Sequence, residues 1–203
     1  MDLAAETADA QGDPDASVVL LHPHPQMGGD MHSPVTAHLF SHLPDSGVSV
    51  LRFDFRGAGR SGGAFGGGSD ETNDVRAAIA EQCARTEMPV WLVGWSFGAD
   101  VSLLVDDPNV LGWVCVTPPL SQPGIADVAG RDPRPKHLLV AEHDQFRDPE
   151  SAAVAVEGWV NTGVAVIKGA DHFLAGRLHS LADSVVDLVR PAPDGDRAAA
   201  DHD

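Results

Sequence analysis

Basic residues are scarce in this chain of 203 residues, where 13 Lys and Arg stand against 30 Asp and Glu for a formal charge of −17. Only Lys136 and Lys168 are lysines. A nucleic-acid partner would require a basic face, and the composition supplies none. The acidity fits a salt-rich cytoplasm or a GC-rich genome about equally. Cysteine is scarce too. Cys83 and Cys115 are too few for a disulfide framework, and Cys115 lies in the apolar run Val110 to Val116, so it reads as a buried thiol. No apolar stretch approaches the roughly 18–20 residues that cross a bilayer, so no membrane span is expected. The first sixteen residues hold five carboxylates and no apolar h-region. A secretory leader is therefore not expected, and the cytoplasm is the expected location.

The chain does have 43% apolar residues and enough length for one domain with a proper core. Residues 1–16 and 191–203 are rich in Ala, Asp, Gly and Pro and read as solvated tails flanking a domain at 17–190. Between them, short apolar runs alternate with helical patterns. Ser17–His22, Val48–Phe53, Val90–Trp95, Val110–Val116, His137–Ala141 and Val164–Ile167 read as buried strands. Helices are expected at Pro34–Leu43, Asp70–Arg85, Phe97–Asp106 and Pro149–Val160. A last helix is expected to carry the stripe Leu174, Leu178, Leu181, Val185 and Leu188. This alternation predicts an α/β fold of about six mainly parallel strands flanked by helices. Arg56–Ser69 is glycine-rich and predicts a flexible or tightly turning loop. Thr117–Pro135 carries five Pro and two Gly in nineteen residues, enough for a turn or short helix but not for a cap domain.

Chemistry concentrates first at Gly94-Trp95-Ser96-Phe97-Gly98, between a strand and a helix. In that context G-x-S-x-G reads as a nucleophile elbow. The turn is so sharp that a β-carbon at Gly94 or Gly98 would meet a neighbouring strand or helix. Ser96 at the helix start also lies near N–H groups able to stabilise an oxyanion. A nucleophilic serine needs a base, and the base needs an orienting acid. Among ten histidines, His32, His38, His42, His179 and His202 have plainer explanations on helices or in the tail. His172 lies in a loop after the last strand, where α/β proteins place their sites. Asp144, at the end of the preceding strand, supplies the acid, with Asp171, Glu142 and Asp148 as alternatives. The order Ser96, Asp144, His172 is the nucleophile–acid–base order of such hydrolases.

These features join two further markers: His22-Pro23-His24-Pro25 with Gly28-Gly29, and Arg52-Phe53-Asp54-Phe55-Arg56-Gly57-Ala58-Gly59-Arg60-Ser61. Together with the elbow, Asp144 and Asp171-His172-Phe173, the set resembles the α/β-hydrolase superfamily over roughly residues 17–190. It is most similar to small, capless, dienelactone-hydrolase-like bacterial serine hydrolases. The resemblance implies a Ser96-His172-Asp144 triad and an oxyanion hole made by the backbone N–H groups of Phe97 and His24. It also implies that no metal or organic cofactor is needed. Family members usually begin with antiparallel strands, for which sixteen polar residues leave little room, so a sheet trimmed at its N-terminal end is expected. They also usually carry Asn where Asp54 stands.

Two rival readings are weaker. Gly57-x-Gly59-x-x-Gly62 has the spacing of a dinucleotide fingerprint, but no helix opens at its last glycine and position 77 is Ala, not an acidic ribose ligand. His22, His24, Asp30 and His32 have the chemistry of metal ligands, yet the resemblance makes them part of the loop beside the oxyanion hole. The expected function is hydrolysis of a small ester through an acyl-enzyme, by a monomer or homodimer without nucleic-acid or membrane partners. An acyltransferase using the same three residues, or a non-catalytic binding module, is the alternative.

Overall fold

The computed structural model describes residues 1–190, so the tail expected at 191–203 lies outside the described residues. Seven strands form one sheet in the order β1-β3-β2-β4-β5-β6-β7. They are β1 (Ala5–Ala8), β2 (Ala16–Leu21), β3 (Val48–Phe53), β4 (Val90–Trp95), β5 (Val110–Val116), β6 (Lys136–Ala141) and β7 (Thr162–Ile167). All neighbours from β3 to β7 pair in parallel, and β1 is antiparallel to β3. The helices are α1 (Pro34–His42), α2 (Glu71–Thr86), α3 (Phe97–Ser102), α4 (Ile125–Val128), α5 (Pro149–Ala155) and α6 (Leu178–Val189). Among the described residues no helix is long and apolar enough to cross a membrane.

The period of two along each strand splits the core into two layers. On one face Val19, Leu21, Leu51, Phe53, Leu92 and Leu138 pack with residues of α2, α3 and α5. On the other, Val18, Leu20, Val50, Val93 and Val114 pack with Val35 and Leu39 of α1 and with Leu181 and Val185 of α6. With both faces covered, β2 and β3 are buried at every position, which is why their sequences show no polar alternation.

Three expectations are corrected. The N-terminal sixteen residues are not a loose tail, because Ala5–Ala8 adds an antiparallel edge strand to β3 and makes the sheet seven-stranded. Local bonds hold it there: Asp54 N–H donates to Ala4 O at 2.9 Å, Gly62 N–H donates to Asp2 O at 3.0 Å, and Arg52 Nε donates to Glu6 at 3.0 Å. Leu174 is buried but precedes α6, in left-handed backbone with φ 57°, so its spacing mimicked a helical position that a loop fills. At the opposite edge, β7 has no fully buried residue, because no strand among the described residues pairs with its outer side. Between β5 and β6, α4 and one 3-10 turn are the only helical pieces, and no cap is present.

Candidate active site

Ser96 sits on the turn from β4 to α3 with φ 56° and ψ −121°. Holding a non-glycine residue in such backbone costs on the order of 1–3 kcal/mol. The strain is held by close packing on both sides. A Cβ at Gly94 would fall 2.5 Å from Ala99 N, and one at Gly98 would fall 2.5 Å from Leu21 O of β2. The Ser96 amide is fixed by donation to Val116 O of β5 at 2.9 Å. The side chain thereby stands clear of the sheet.

His172 and Asp144 arrive from the loops after β7 and β6. His172 Nε2 is 2.9 Å from Ser96 Oγ, and His172 Nδ1 is 2.8 Å from Asp144 Oδ2. The second carboxylate oxygen, Asp144 Oδ1, accepts from the amides of Phe146 at 2.8 Å and Arg147 at 3.2 Å. Both side chains are nearly sealed from solvent, at 5% and 1% exposure for His172 and Asp144. Trp95 Nε1 donates to His172 O at 3.2 Å, and His143 N–H donates to Ala170 O at 2.9 Å, locking the two loops together. An imidazole placed this way can take a hydroxyl proton at Nε2 while the carboxylate holds its Nδ1 proton.

The alternative acids are engaged elsewhere. Asp171 turns outward and accepts from Phe173 N–H at 3.1 Å. Glu142 accepts from Gly169 N–H at 2.7 Å and pairs with Lys168, which holds its carboxyl below the usual range. Asp148 caps α5 through Ser151 N–H at 2.9 Å and is likewise held low by Ser151.

The residues expected to flank an oxyanion also converge on this cleft. Neither the Phe97 nor the His24 amide has a protein acceptor among the described residues. The His24 loop is braced from below. His22 is buried, with Nδ1 against Pro23 O at 2.7 Å and Nε2 accepting from Phe55 N–H at 2.9 Å. Burial lowers its pKa to about 4, so it is a neutral brace. Gly29 is required here, because any side chain at this position would place a Cβ 2.3 Å from Pro23 O. Asp54, in place of the usual Asn, accepts from Met31 N–H and Arg60 N–H, both at 2.9 Å, and so ties the loops after β2 and β3. The glycine-rich stretch is tightly turned, since Glu71 accepts from Gly66 and Gly68 N–H. Gly57 and Gly59 belong to this bracing rather than to a dinucleotide cradle.

Sequence reasoning missed Asp100. It is buried in α3 and accepts from Leu120 N–H at 2.8 Å and Ser121 N–H at 2.7 Å, shaping the far wall of the cleft. Its burial, partly countered by these amides, raises its pKa. The cleft itself measures about 510 Å³ and is bordered by Pro23, His24, Met27, Trp95, Phe97, Phe146 and Phe173 among others.

A family profile described as serine aminopeptidase, S33 matches residues 12–132, more than half of the chain, and the chain belongs to this family of α/β-hydrolases. The matched stretch includes the elbow and ends before Asp144. The chain is 28% identical over 189 residues to the uncharacterized protein RP471 of Rickettsia prowazekii (strain Madrid E), covering 87% of this chain and 79% of that protein. It is similar to an alpha-beta serine hydrolase homologue from Coxiella burnetii, with 28% identity, a TM-score of 0.84 and coverage of 92% and 91%. It is also similar to XC6422 from Xanthomonas campestris, described as an a/b serine hydrolase without lid, with 25% identity, a TM-score of 0.80 and coverage of 94% and 91%.

Proposed function

We propose that this chain hydrolyses small carboxylic esters through an acyl-enzyme on Ser96. The observation that carries the reading is the unbroken chain from Ser96 Oγ through His172 to Asp144 at 2.9 and 2.8 Å, opening into an apolar cleft. In the first half-reaction, His172 Nε2 takes the Ser96 proton as Oγ attacks the ester carbonyl. The carbonyl oxygen becomes an oxyanion facing the Phe97 and His24 amides, which have no protein acceptor. Collapse breaks the C–O bond, and His172 returns the proton to the departing alcohol. Water then repeats the sequence and releases the acid. Asp144 keeps the Nδ1–H tautomer and stabilises the imidazolium.

The family's description names aminopeptidases, whose substrates carry a free, positively charged amino terminus. Among the described residues the cleft lining holds no carboxylate to receive such a charge, and Asp144 lies behind His172 rather than in the lining. An uncharged ester fits it better. The absence of a cap favours short acyl groups over long ones, which need a deep enclosed pocket. Turnover of p-nitrophenyl esters of graded acyl length should exceed that of aminoacyl p-nitroanilides, and should drop by several orders of magnitude in Ser96→Ala. Faster turnover of the anilides would replace this reading with an aminopeptidase one. Ester turnover unchanged in Ser96→Ala would reject the nucleophile.

A further inference from the structure

Away from the cleft, three imidazoles meet where α1 packs on α6. His38 and His42 are four residues apart and share one face of α1, while His179 lies in the first turn of α6. Their ring centroids are 5.0–5.5 Å apart, and one nitrogen from each ring lies within 4.8 Å of the others. His38 Nε2 is shielded from solvent and has no hydrogen-bond partner, an orphan that native interiors seldom leave unexplained. Asp183, four residues beyond His179 on α6, has Oδ1 3.8 Å from His42 Nε2.

We infer that His38, His42 and His179 form a binding site for a divalent transition ion of zinc's class, bridging α1 and α6, with Asp183 orienting His42 from behind. Three neutral imidazoles are a borderline-soft donor set suited to Zn²⁺, Cu²⁺ or Ni²⁺ rather than to Mg²⁺ or Ca²⁺. At Zn–N distances of about 2.0–2.1 Å in tetrahedral geometry, ligand nitrogens sit roughly 3.3 Å apart. The three rings must therefore close in by roughly 1.5 Å. All three are at least partly exposed, so side-chain rotation supplies this without moving the backbone. His38 Nε2 gains a partner in the process. A carboxylate against the outer nitrogen of a metal-bound imidazole is the usual second layer of such sites, and Asp183 Oδ1, 3.8 Å from His42 Nε2, takes that role once His42 binds through Nδ1 and the two side chains draw together. The fourth position is left for water.

The placement gives the ion a consequence. α1 follows the loop that carries His24, and α6 follows the loop that carries His172, so a bridge between them braces two walls of the cleft. The inference does not depend on the ester reading, because none of these residues touches Ser96, His172 or Asp144.

Untagged protein, stripped with chelator and titrated with ZnCl₂ in a calorimeter, should bind one equivalent. Co²⁺ in its place should show the visible d–d bands of a low-coordinate nitrogen site. Saturation at roughly 100 times the dissociation constant should raise the melting midpoint by about 5 °C or more. His179→Gln and His42→Gln should abolish stoichiometric binding, and Asp183→Asn should weaken it by about 10-fold or more. His179 is exposed, so His179→Gln should keep the wild-type melting midpoint measured without metal. That control separates a lost site from a lost fold. Wild-type protein that takes up no equivalent of Zn²⁺ or Co²⁺ would overturn the inference. So would binding that survives unchanged in both His→Gln variants, which would put the ion on other ligands.

Discussion

His22 shows how one residue couples the frame of the cleft to pH. Its Nε2 accepts the Phe55 amide, which only the neutral ring with a proton on Nδ1 can do. Burial lowers its pKa from 6.5 to about 4. The unfolded chain therefore takes up a proton as pH falls through 6.5, while the folded chain does not until about 4. Stability that is full above 6.5 is lost progressively across that window, and the shift corresponds to roughly 3 kcal/mol. Burial also lowers His24, His38 and His137, and they act with the same sign. The test is thus a difference in slope. Unfolding free energy measured by denaturant between pH 7 and 4.5 should fall less steeply in His22→Gln than in wild type. Parallel slopes would mean that His22 is charged or exposed in solution.

The elements explain what the sequence revealed and what it hid. Strands β3, β4 and β5 were legible to the residue, because central parallel strands are continuous apolar runs between turn signals. β1 was hidden for the converse reason: a four-residue edge strand half-exposed to water needs no apolar run, and the five carboxylates of the first sixteen residues read as a tail. Leu174 misled because spacing reports burial and not backbone conformation. As a candidate site, Ser96, Asp144 and His172 were legible through motif and order, since each follows the end of a strand, and the structure brings the three side chains together. Asp100 and the meeting of His38 with His179 were not, because they depend on how α3 and α6 pack against the rest of the molecule. Placement also separates the two candidate acids. Asp144 comes from the β6 loop and reaches the ring at 2.8 Å, whereas Asp171 shares the His172 loop and points away. Asp144→Asn should lower ester turnover on the order of 10⁴-fold by disturbing the tautomer. Asp171→Asn should retain most of it. A dead Asp171→Asn beside an active Asp144→Asn would reverse the assignment.

At the scale of the whole molecule, a charge of −17 on a chain of this size makes the folded state repel itself. Few cations relieve the repulsion, and several that are present are committed to local pairs, as in Arg56 with Asp74 and Arg134 with Asp132. Raising KCl from low concentration to about 1 M, where the Debye length is roughly 3 Å, should therefore raise the melting midpoint at neutral pH. A flat or falling midpoint would mean that self-repulsion does not limit stability.

In the proposed mechanism, strain at the β4–α3 turn, the His172 ring and the Asp144 carboxylate together make one serine reactive. A fluorophosphonate probe, followed by proteolysis and peptide mass mapping, tests that most directly. A single adduct per chain is expected, on Ser96, lost in Ser96→Ala and slowed by orders of magnitude in His172→Ala. An adduct on a different serine, or no adduct on a chain shown by circular dichroism to be folded, would contradict it.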